Sequence, residues 1–179
     1  MYKVGGLRLN KGRKLCNPSK KNPFLLCAVS GIVETRLNQI VTASDGNTYD
    51  IEVVYKNTSG IPMEGTTLAV SELLPGDAKY DEYVAASAAE LGTKAENIEL
   101  SRVFDIRIVD EKDPEIVYEP TGDVTVSIRL IGENLNEYAN IDVLHFKEAE
   151  NTDGFTVYDL DSTVDGESVW FTTDSFSVY

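Results

Sequence analysis

The chain has a single histidine, His145, and this limits the catalytic chemistry available to it. No cysteine and no second histidine stands near it in the sequence, so it fits neither a catalytic triad nor an ordinary zinc site. On an alternating strand we expect it at the surface or the rim. The sequence also lacks a nucleophile elbow, a phosphate-binding loop and a dinucleotide-binding glycine pattern. We therefore predict no catalytic residues, no cofactor and no metal site, and we do not expect an enzyme.

Carboxylates are abundant, with 30 Asp and Glu in 179 residues. Two of them could act as acid and base on a glycosidic bond. So many acidic residues form close pairs by chance, however, and a small sandwich with short turns offers little material for a cleft. A small carbohydrate-active hydrolase is therefore our third interpretation of the chain.

One acidic segment, residues 159–166, has a superficial likeness to a calcium-binding loop. Asp159 and Asp161 fit the first and third ligand positions, but Thr163 takes the fifth and Gly166 stands eighth. A calcium loop of the EF-hand type needs its glycine at the sixth position. A β-hairpin turn at Asp165-Gly166 explains the glycine better.

Both cysteines, Cys16 and Cys27, lie in a basic segment at the start of the chain. They could form a disulfide or stay free, and their spacing does not decide between the two. Residues 1–36 carry eight Lys and Arg against one acidic residue, whereas residues 37–179 have a net charge of −21. We interpret the first 36 residues as an extension that is disordered or, because of an apolar run at 24–33, signal-like. An acidic body repels nucleic acid, and no apolar run is long enough to span a membrane.

Two further kinds of residue could form a cross-link or bind a partner. Lys56 or Lys147, with an asparagine and a carboxylate, could form an intramolecular isopeptide bond, although no motif selects them. Exposed aromatic side chains could contact a ligand, and we single out Tyr80, Tyr83 and Tyr138. The sequence thus offers candidate binding residues without a catalytic constellation.

These residues lie among segments in which apolar and polar side chains alternate. Alternation with period two is typical of a strand with one buried and one solvated face. The segments are residues 49–55, 100–108 (within a longer strand at 98–109), 123–131, 141–146, 154–158, 168–171 and 176–179, with turn residues between them. Such a series predicts an antiparallel β-sandwich, formed by the acidic module of residues 37–179.

Two local patterns refine this fold. Residues 37–43 and 48–55 flank Ser44-Asp45-Gly46-Asn47, which is a hairpin turn signal. Residues 78–91 have apolar side chains at three- and four-residue steps, which predicts a helix with Asp77 as its N-cap and Gly92 just after its end. We expect a mainly β fold in which this one α-helix covers an opening of the sandwich.

Several stretches together resemble a known family. They are SGIPMEGTTLAVSELL at 59–74 running into YDEY at 80–83, RVFDIRIV at 102–109 followed by Glu119-Pro120 and VTVSIRL at 124–130, and VLHF at 143–146 with FTTDSFSVY at 171–179. They resemble a β-rich repeat module of large, multidomain cell-surface proteins of Gram-positive gut bacteria, which often carry pilin-type domains and wall anchors. They are also distantly similar to the ZU5 β-sandwich of eukaryotic scaffold proteins. The resemblance covers about residues 45–179 and transfers no functional residue.

The resemblance implies an extracellular, structural or adhesin-like role without known catalysis. We therefore expect a non-catalytic module on a bacterial cell surface, associated with the cell wall through its parent protein. Its partners would be a host protein or a glycan, together with neighbouring modules of the same polypeptide. The alternative is an intracellular ZU5-type scaffold that binds other proteins.

Overall fold

The alternating segments form antiparallel strands that pack as two sheets, which confirms the predicted β-sandwich with one helix. The computed structural model describes residues 31–98, 101–148 and 154–179. Cys16, Cys27 and most of the predicted extension lie outside the described residues. Residues Ile32–Tyr179 form one compact unit, and its first strand begins at Glu34, three residues before the predicted start of the module.

Ten strands and one α-helix follow one another along the described residues. The strands are β1 (Glu34–Thr42), β2 (Thr48–Lys56), β3 (Thr66–Leu73), β4 (Val103–Asp110), β5 (Val117–Tyr118), β6 (Val124–Leu130), β7 (Val143–Glu148), β8 (Phe155–Leu160), β9 (Ser162–Asp165) and β10 (Ser168–Thr173). The helix is α1 (Ala78–Glu90), and short 3₁₀ turns occupy Ala95–Asn97 and Leu135–Glu137. The strand expected from residue 98 begins only at Val103, and β9 is a strand that the sequence analysis did not separate from its turn.

The first hairpin follows its turn signal. β1 and β2 pair antiparallel, with Thr42 opposite Thr48. The Ala43 N–H donates to Asn47 O at 2.8 Å, and Gly46 adopts a φ of 89°, which residues with a side chain rarely adopt. The turn therefore holds its exposed residues at one end of the sandwich.

The first sheet has the strand order β1-β2-β6-β10-β9, and every pair in it is antiparallel. Alternate residues of β2 and β6 face the second sheet, and Ile51, Val53 and Val126 have no exposed surface at all. The opposite face carries polar side chains, such as the Arg36–Glu52 ion pair at 2.9 Å. One face of this sheet is buried and the other is solvated, so a shift of one residue in the pairing of its strands would bury the polar face.

The second sheet depends on residues 176–179, which we call the seam. β3, β4 and β5 pair in that order, and β7 pairs with β8. The seam lies between these two groups, because Phe104 and Tyr179 exchange backbone hydrogen bonds of 2.7 and 2.8 Å and the Phe146 N–H donates to Val178 O at 2.8 Å. The segment expected to be a strand at 176–179 thus pairs through isolated bridges and joins the two groups into one sheet.

α1 packs on the outer face of the second sheet. The Tyr83 ring lies against Phe146 and Phe155, with centroid distances of 4.7 and 4.9 Å. These rings form a second apolar cluster with Val103 and Val178, separate from the core between the sheets. The helix therefore makes a third layer over part of the molecule, which agrees with the single covering helix that the sequence predicts.

The ends of α1 follow the sequence signals with one difference. Asp77 occupies the N-cap position, but its carboxylate accepts a hydrogen bond from the Leu74 N–H at 3.2 Å and none from the helix. Gly92 follows the helix with a φ of 61°, and its N–H donates to Ala89 O at 3.2 Å. A glycine in this conformation ends the helix without steric cost.

Candidate binding cavity

A cavity of about 690 Å³ lies at one end of the sandwich, although so small a fold was expected to have little material for a cleft. Its inner wall is apolar and comes from both sheets. Leu130 and Val169 belong to the first sheet, and Phe104 and Val143 belong to the second. The cavity is therefore continuous with the core, where the two sheets separate.

The helix and two loops surround the mouth of the cavity. The wall includes Val84 and Ser87 of α1 and Leu91 just after its end. It also includes Thr93 and Asn97 from the segment before β4, and Ala139 and Asn140 from the segment before β7. The loop residues among these are exposed, so solvent reaches this side of the cavity.

Arg102 lies at the edge of the cavity with only 18% of its side chain exposed. It forms an ion pair with Asp45 of the first hairpin turn, and a terminal nitrogen donates to Ser101 O at 2.6 Å. Its Nε lies 3.9 Å from Glu72 Oε1, which is too far for a hydrogen bond, and no other acceptor is within reach. Burial lowers the pKa of the guanidinium, yet arginine stays protonated in proteins. The Arg102 Nε–H is thus a buried donor without an acceptor.

Tyr49 brings a second polar atom without a partner to the same cavity. Its side chain extends from the inner face of β2, is 4% exposed and packs edge-on against Phe104 at a ring distance of 5.2 Å. Its hydroxyl forms no hydrogen bond of good geometry, although the Asn47 side chain approaches it. Burial and the nearby charge of Glu72 raise the pKa of Tyr49 to about 12, although the Asn47 side chain acts in the opposite direction. The hydroxyl therefore keeps its proton at neutral pH and can donate it.

The residues that line the cavity have the chemical make-up of a ligand pocket. Among the described residues that line the cavity, Asp142 is the one carboxylate, and His and Cys do not occur. Hydrolysis by paired side chains needs an acid and a base within reach of one bond. The cavity instead combines an apolar wall with a few buried hydrogen-bonding groups, which is the usual make-up of a ligand pocket.

His145 lies outside the cavity lining and is 3% exposed, so the expectation of a surface or rim position is wrong. Its ring stacks on Tyr179 with a centroid distance of 4.6 Å. Its Nε2 lies 2.7 Å from Ser177 Oγ, and the Ser177 hydroxyl donates to Phe146 O at 2.8 Å. Since that hydroxyl has one proton, Nε2–H must be the donor to Ser177.

The pair of His145 and Ser177 holds the seam and does not form a nucleophile. Burial and, to a smaller extent, the charge of Lys147 lower the pKa of His145 to about 4. A base this weak takes little of a serine proton at neutral pH, and the Ser177 proton is directed at a backbone carbonyl. The side chains connect β7 to the seam.

Of the three tyrosines singled out from the sequence, one lies at the cavity. Tyr138 is half-buried and contributes to the lining. The Tyr80 hydroxyl shares a hydrogen bond of 2.9 Å with Ser101 Oγ. Tyr83 is 3% exposed within the outer cluster, so it does not offer the exposed aromatic surface that we expected.

The other sequence candidates occupy ordinary structural positions. Lys56 and Lys147 are exposed on β2 and β7. Residues 159–166 lie in β8, β9 and the following hairpin turn, where Gly166 has a φ of 59° as the turn requires. Within the described ranges, no group of three His, Cys, Asp or Glu side chains is placed to hold a metal ion.

Sequence reasoning missed the two residues that matter most in the cavity. Tyr49 follows the same alternation as the buried residues Ile51 and Val53, and nothing in the pattern shows whether its hydroxyl finds a partner. Arg102 falls at a polar position of the predicted strand, which favours the solvent face. The sequence analysis also left out Trp170, the one tryptophan of the chain, which is 38% exposed on the outer face of β10.

No family model matches the chain, and no curated protein or solved structure matches it either. The resemblance to bacterial surface modules therefore rests on the quoted stretches of sequence alone. In the part of the chain that the structure describes, no helix has the length and apolar character needed to cross a membrane.

Proposed function

We propose that the chain is a non-catalytic, adhesin-like binding module of a bacterial cell-surface protein. The observation that carries the binding role is the cavity of about 690 Å³ at one end of the sandwich, whose inner wall is apolar. An apolar group of a ligand that enters this cavity gains free energy as its surface leaves water.

The surface location is supported by the resemblance to Gram-positive surface modules and by the charge of the module. A net charge of −21 over residues 37–179 keeps such a module soluble and repels nucleic acid. The two sheets enclose a continuous apolar core, which suits a unit that holds its shape between neighbouring modules. Host proteins and glycans are the proposed partners.

Binding through the cavity is tested by blocking its mouth. Ala139 is exposed there, so Ala139→Trp should fill the entrance, whereas Thr42→Trp adds the same ring at the exposed end of β1, outside the lining. Surface plasmon resonance over a panel of extracellular matrix proteins and glycans should detect saturable binding that Ala139→Trp abolishes and Thr42→Trp retains. Absence of saturable binding, or equal binding by both variants, contradicts the proposal.

Two further measurements separate the alternatives. Mass spectrometry of the bound partner after prolonged incubation should find it chemically unchanged, and cleavage would favour the hydrolase interpretation. Antibody labelling of intact bacterial cells should detect the parent protein at the surface. Labelling only after cell lysis would favour the intracellular scaffold.

A further inference from the structure

The inner wall of the cavity favours an apolar group of the ligand. It includes side chains that are 8% exposed or less, those of Phe104, Leu130, Val143 and Val169. Apolar walls offer no hydrogen bonds, so a sugar ring inserted here would leave several hydroxyls unpaired. An aliphatic or aromatic side chain has no such cost.

The loop on one side of the cavity, residues 131–142 between β6 and β7, is acidic, and we call it the acidic loop. Its sequence contains three carboxylates, those of Glu133, Glu137 and Asp142, and no Lys or Arg. All three residues are exposed, and Asp142 belongs to the lining itself. Charges of one sign beside a cleft attract ligands of the opposite sign and repel those of the same sign.

Arg102, the basic residue of the lining, does not reverse this charge. Its guanidinium forms ion pairs with Asp45 and Glu72, so one positive group faces two negative ones. The charge of Glu72 acts inside the cavity as well, because burial and then this charge raise the pKa of Tyr49 to about 12. The charged groups at the cavity therefore favour a positive group on the ligand.

Neutral polar groups complete the mouth of the cavity. Thr93 and Asn97 lie on the loop after α1, and Asn140 lies on the acidic loop. In the loop after α1, Lys94 forms an ion pair with Glu96 at 3.4 Å, so these two charges offset each other. Amide side chains have the same donor and acceptor groups as a peptide bond, so they suit the backbone on either side of an inserted side chain.

We propose that the cavity binds an apolar side chain of a partner protein segment in which the next residue is basic, and that the basic group lies at the acidic loop beside Asp142. The proposal rests on the binding function above and names the ligand class. A volume of about 690 Å³ accommodates a large apolar side chain with the flanking peptide groups. An apolar ligand that carries a carboxylate or a phosphate would meet repulsion at the same place.

Three dipeptides that differ in one charge test this ligand class. They are N-acetyl-phenylalanyl-lysine amide and its glutamine and glutamate analogues, and methyl β-glucopyranoside represents the glycan class. Each compound is titrated into the ¹⁵N-labelled full chain and followed by NMR. The lysine peptide should shift the signals of cavity residues such as Val103 and Leu130 saturably, and Ala139→Trp should abolish these shifts.

The affinities should follow the charge of the second residue. The glutamine peptide should bind about twofold to fivefold more weakly than the lysine peptide, and the glutamate peptide at least about fivefold more weakly. The difference between the lysine and glutamine peptides should vanish in about 0.5 M sodium chloride, because salt screens exposed charges. The glucoside should cause no saturable shift.

A pair of aspartate variants locates the preference for the positive charge. Asp142→Asn keeps the shape of the side chain and should weaken binding of the lysine peptide about twofold to fivefold, while the glutamine peptide binds as before. Asp113→Asn is the matched control, because Asp113 is also exposed but follows the far end of β4, outside the lining. It should leave the affinities unchanged.

Equal or tighter binding of the glutamate peptide or the glucoside overturns the ligand class, as does a preference for the lysine peptide that Asp142→Asn leaves unchanged. If no peptide binds but the panel partner is still lost with Ala139→Trp, the binding function stands and the ligand class fails. If neither binding is detected, both proposals fail.

Discussion

The seam pairs its buried polar groups in hydrogen bonds, whereas the cavity leaves two of them unpaired. At the seam, the His145 Nε2–H donates to Ser177, the Ser177 hydroxyl donates to Phe146 O, and the Tyr179 hydroxyl donates to Ser175 O at 2.6 Å. At the cavity, the Tyr49 hydroxyl and the Arg102 Nε–H have no acceptor. Both regions are buried, and both contain a tyrosine and a basic side chain.

The difference teaches how to separate a structural site from a binding site. Buried polar groups in folded proteins are nearly always paired, so a completed set of hydrogen bonds is what stability alone requires. The seam meets that requirement, although a His–Ser pair is also the combination found in nucleophilic catalysis. The cavity does not meet it, because the Tyr49 hydroxyl and the Arg102 Nε–H remain without a hydrogen bond of good geometry.

The largest effect should come from the aromatic ring at the seam. Tyr179→Ala removes a 6% exposed ring that stacks on His145, and it should lower the free energy of unfolding by about 3–5 kcal/mol. Ile40→Ala is the control, because Ile40 is 61% exposed on β1 and its loss should change stability by less than about 0.5 kcal/mol. Urea unfolding followed by circular dichroism gives both values. Similar losses in the two variants would show that the seam does not hold the sheet together.

The seam should also make stability depend on pH. The pKa of His145 is lowered from 6.5 to about 4 by burial, so the folded state binds the proton more weakly than the unfolded state. The stabilisation by the neutral ring is complete above pH 6.5 and is lost as the pH falls towards 4, by at most about 3 kcal/mol. Urea unfolding at pH 6.5 and at pH 4 measures this loss of stability. The loss between the two pH values should be smaller in His145→Phe than in the unaltered chain.

NMR gives a direct check, because the chain has one histidine and its imidazole signals need no assignment. The ring should titrate with a midpoint near 4. A midpoint near the ordinary value of 6.5 would contradict the buried, neutral ring.

A smaller loss is expected when the seam loses one hydroxyl. Ser177→Ala leaves the His145 Nε2–H and Phe146 O without their partner and should cost about 1–3 kcal/mol. Ser175→Ala removes a hydroxyl whose bond, among the described residues, goes to the exposed Asp174, and it should be nearly neutral. Thermal unfolding by calorimetry compares the two, and equal melting temperatures would remove the distinction between paired and unpaired groups at the seam.

The smallest effect should contrast two tyrosines on β2. The Tyr55 hydroxyl donates to Pro62 O at 2.8 Å, so Tyr55→Phe should cost about 1 kcal/mol. The Tyr49 hydroxyl has no partner, so Tyr49→Phe should leave stability unchanged or raise it by up to about 1 kcal/mol. Parallel urea titrations measure both, and a loss of stability in Tyr49→Phe would mean that its hydroxyl is already satisfied.

The strands and the first hairpin could be predicted because their signals are local. β2 alternates cleanly, since its sheet has one buried and one solvated face. Gly46 and Gly92 mark a turn and a helix end because both need a positive φ. These features depend on a few neighbouring residues and on no distant partner.

The position of His145 could not be predicted, and the reason is the third layer. In β7 the residues from Val143 to Phe146 are all buried, because α1 covers the face that the first sheet does not. Period-two alternation disappears in a strand that is buried on both sides, so it cannot show which way a histidine faces. The cavity could not be predicted either, because its lining comes from elements that are distant in the sequence. Nor does the sequence pattern show that the Tyr49 hydroxyl and the Arg102 Nε–H lack a hydrogen-bond acceptor.

The place of the seam between β4 and β7 has a consequence for biosynthesis. Translation proceeds from the N-terminus, so β4 and β7 leave the ribosome before the segment that pairs with both of them. Until residues 176–179 emerge, the backbone amides of Phe104 and Phe146 lack their native acceptors, and the nascent sheet has open edges that other chains could pair with. Insertion of residues 176–179 between β4 and β7 therefore follows the synthesis of both strands.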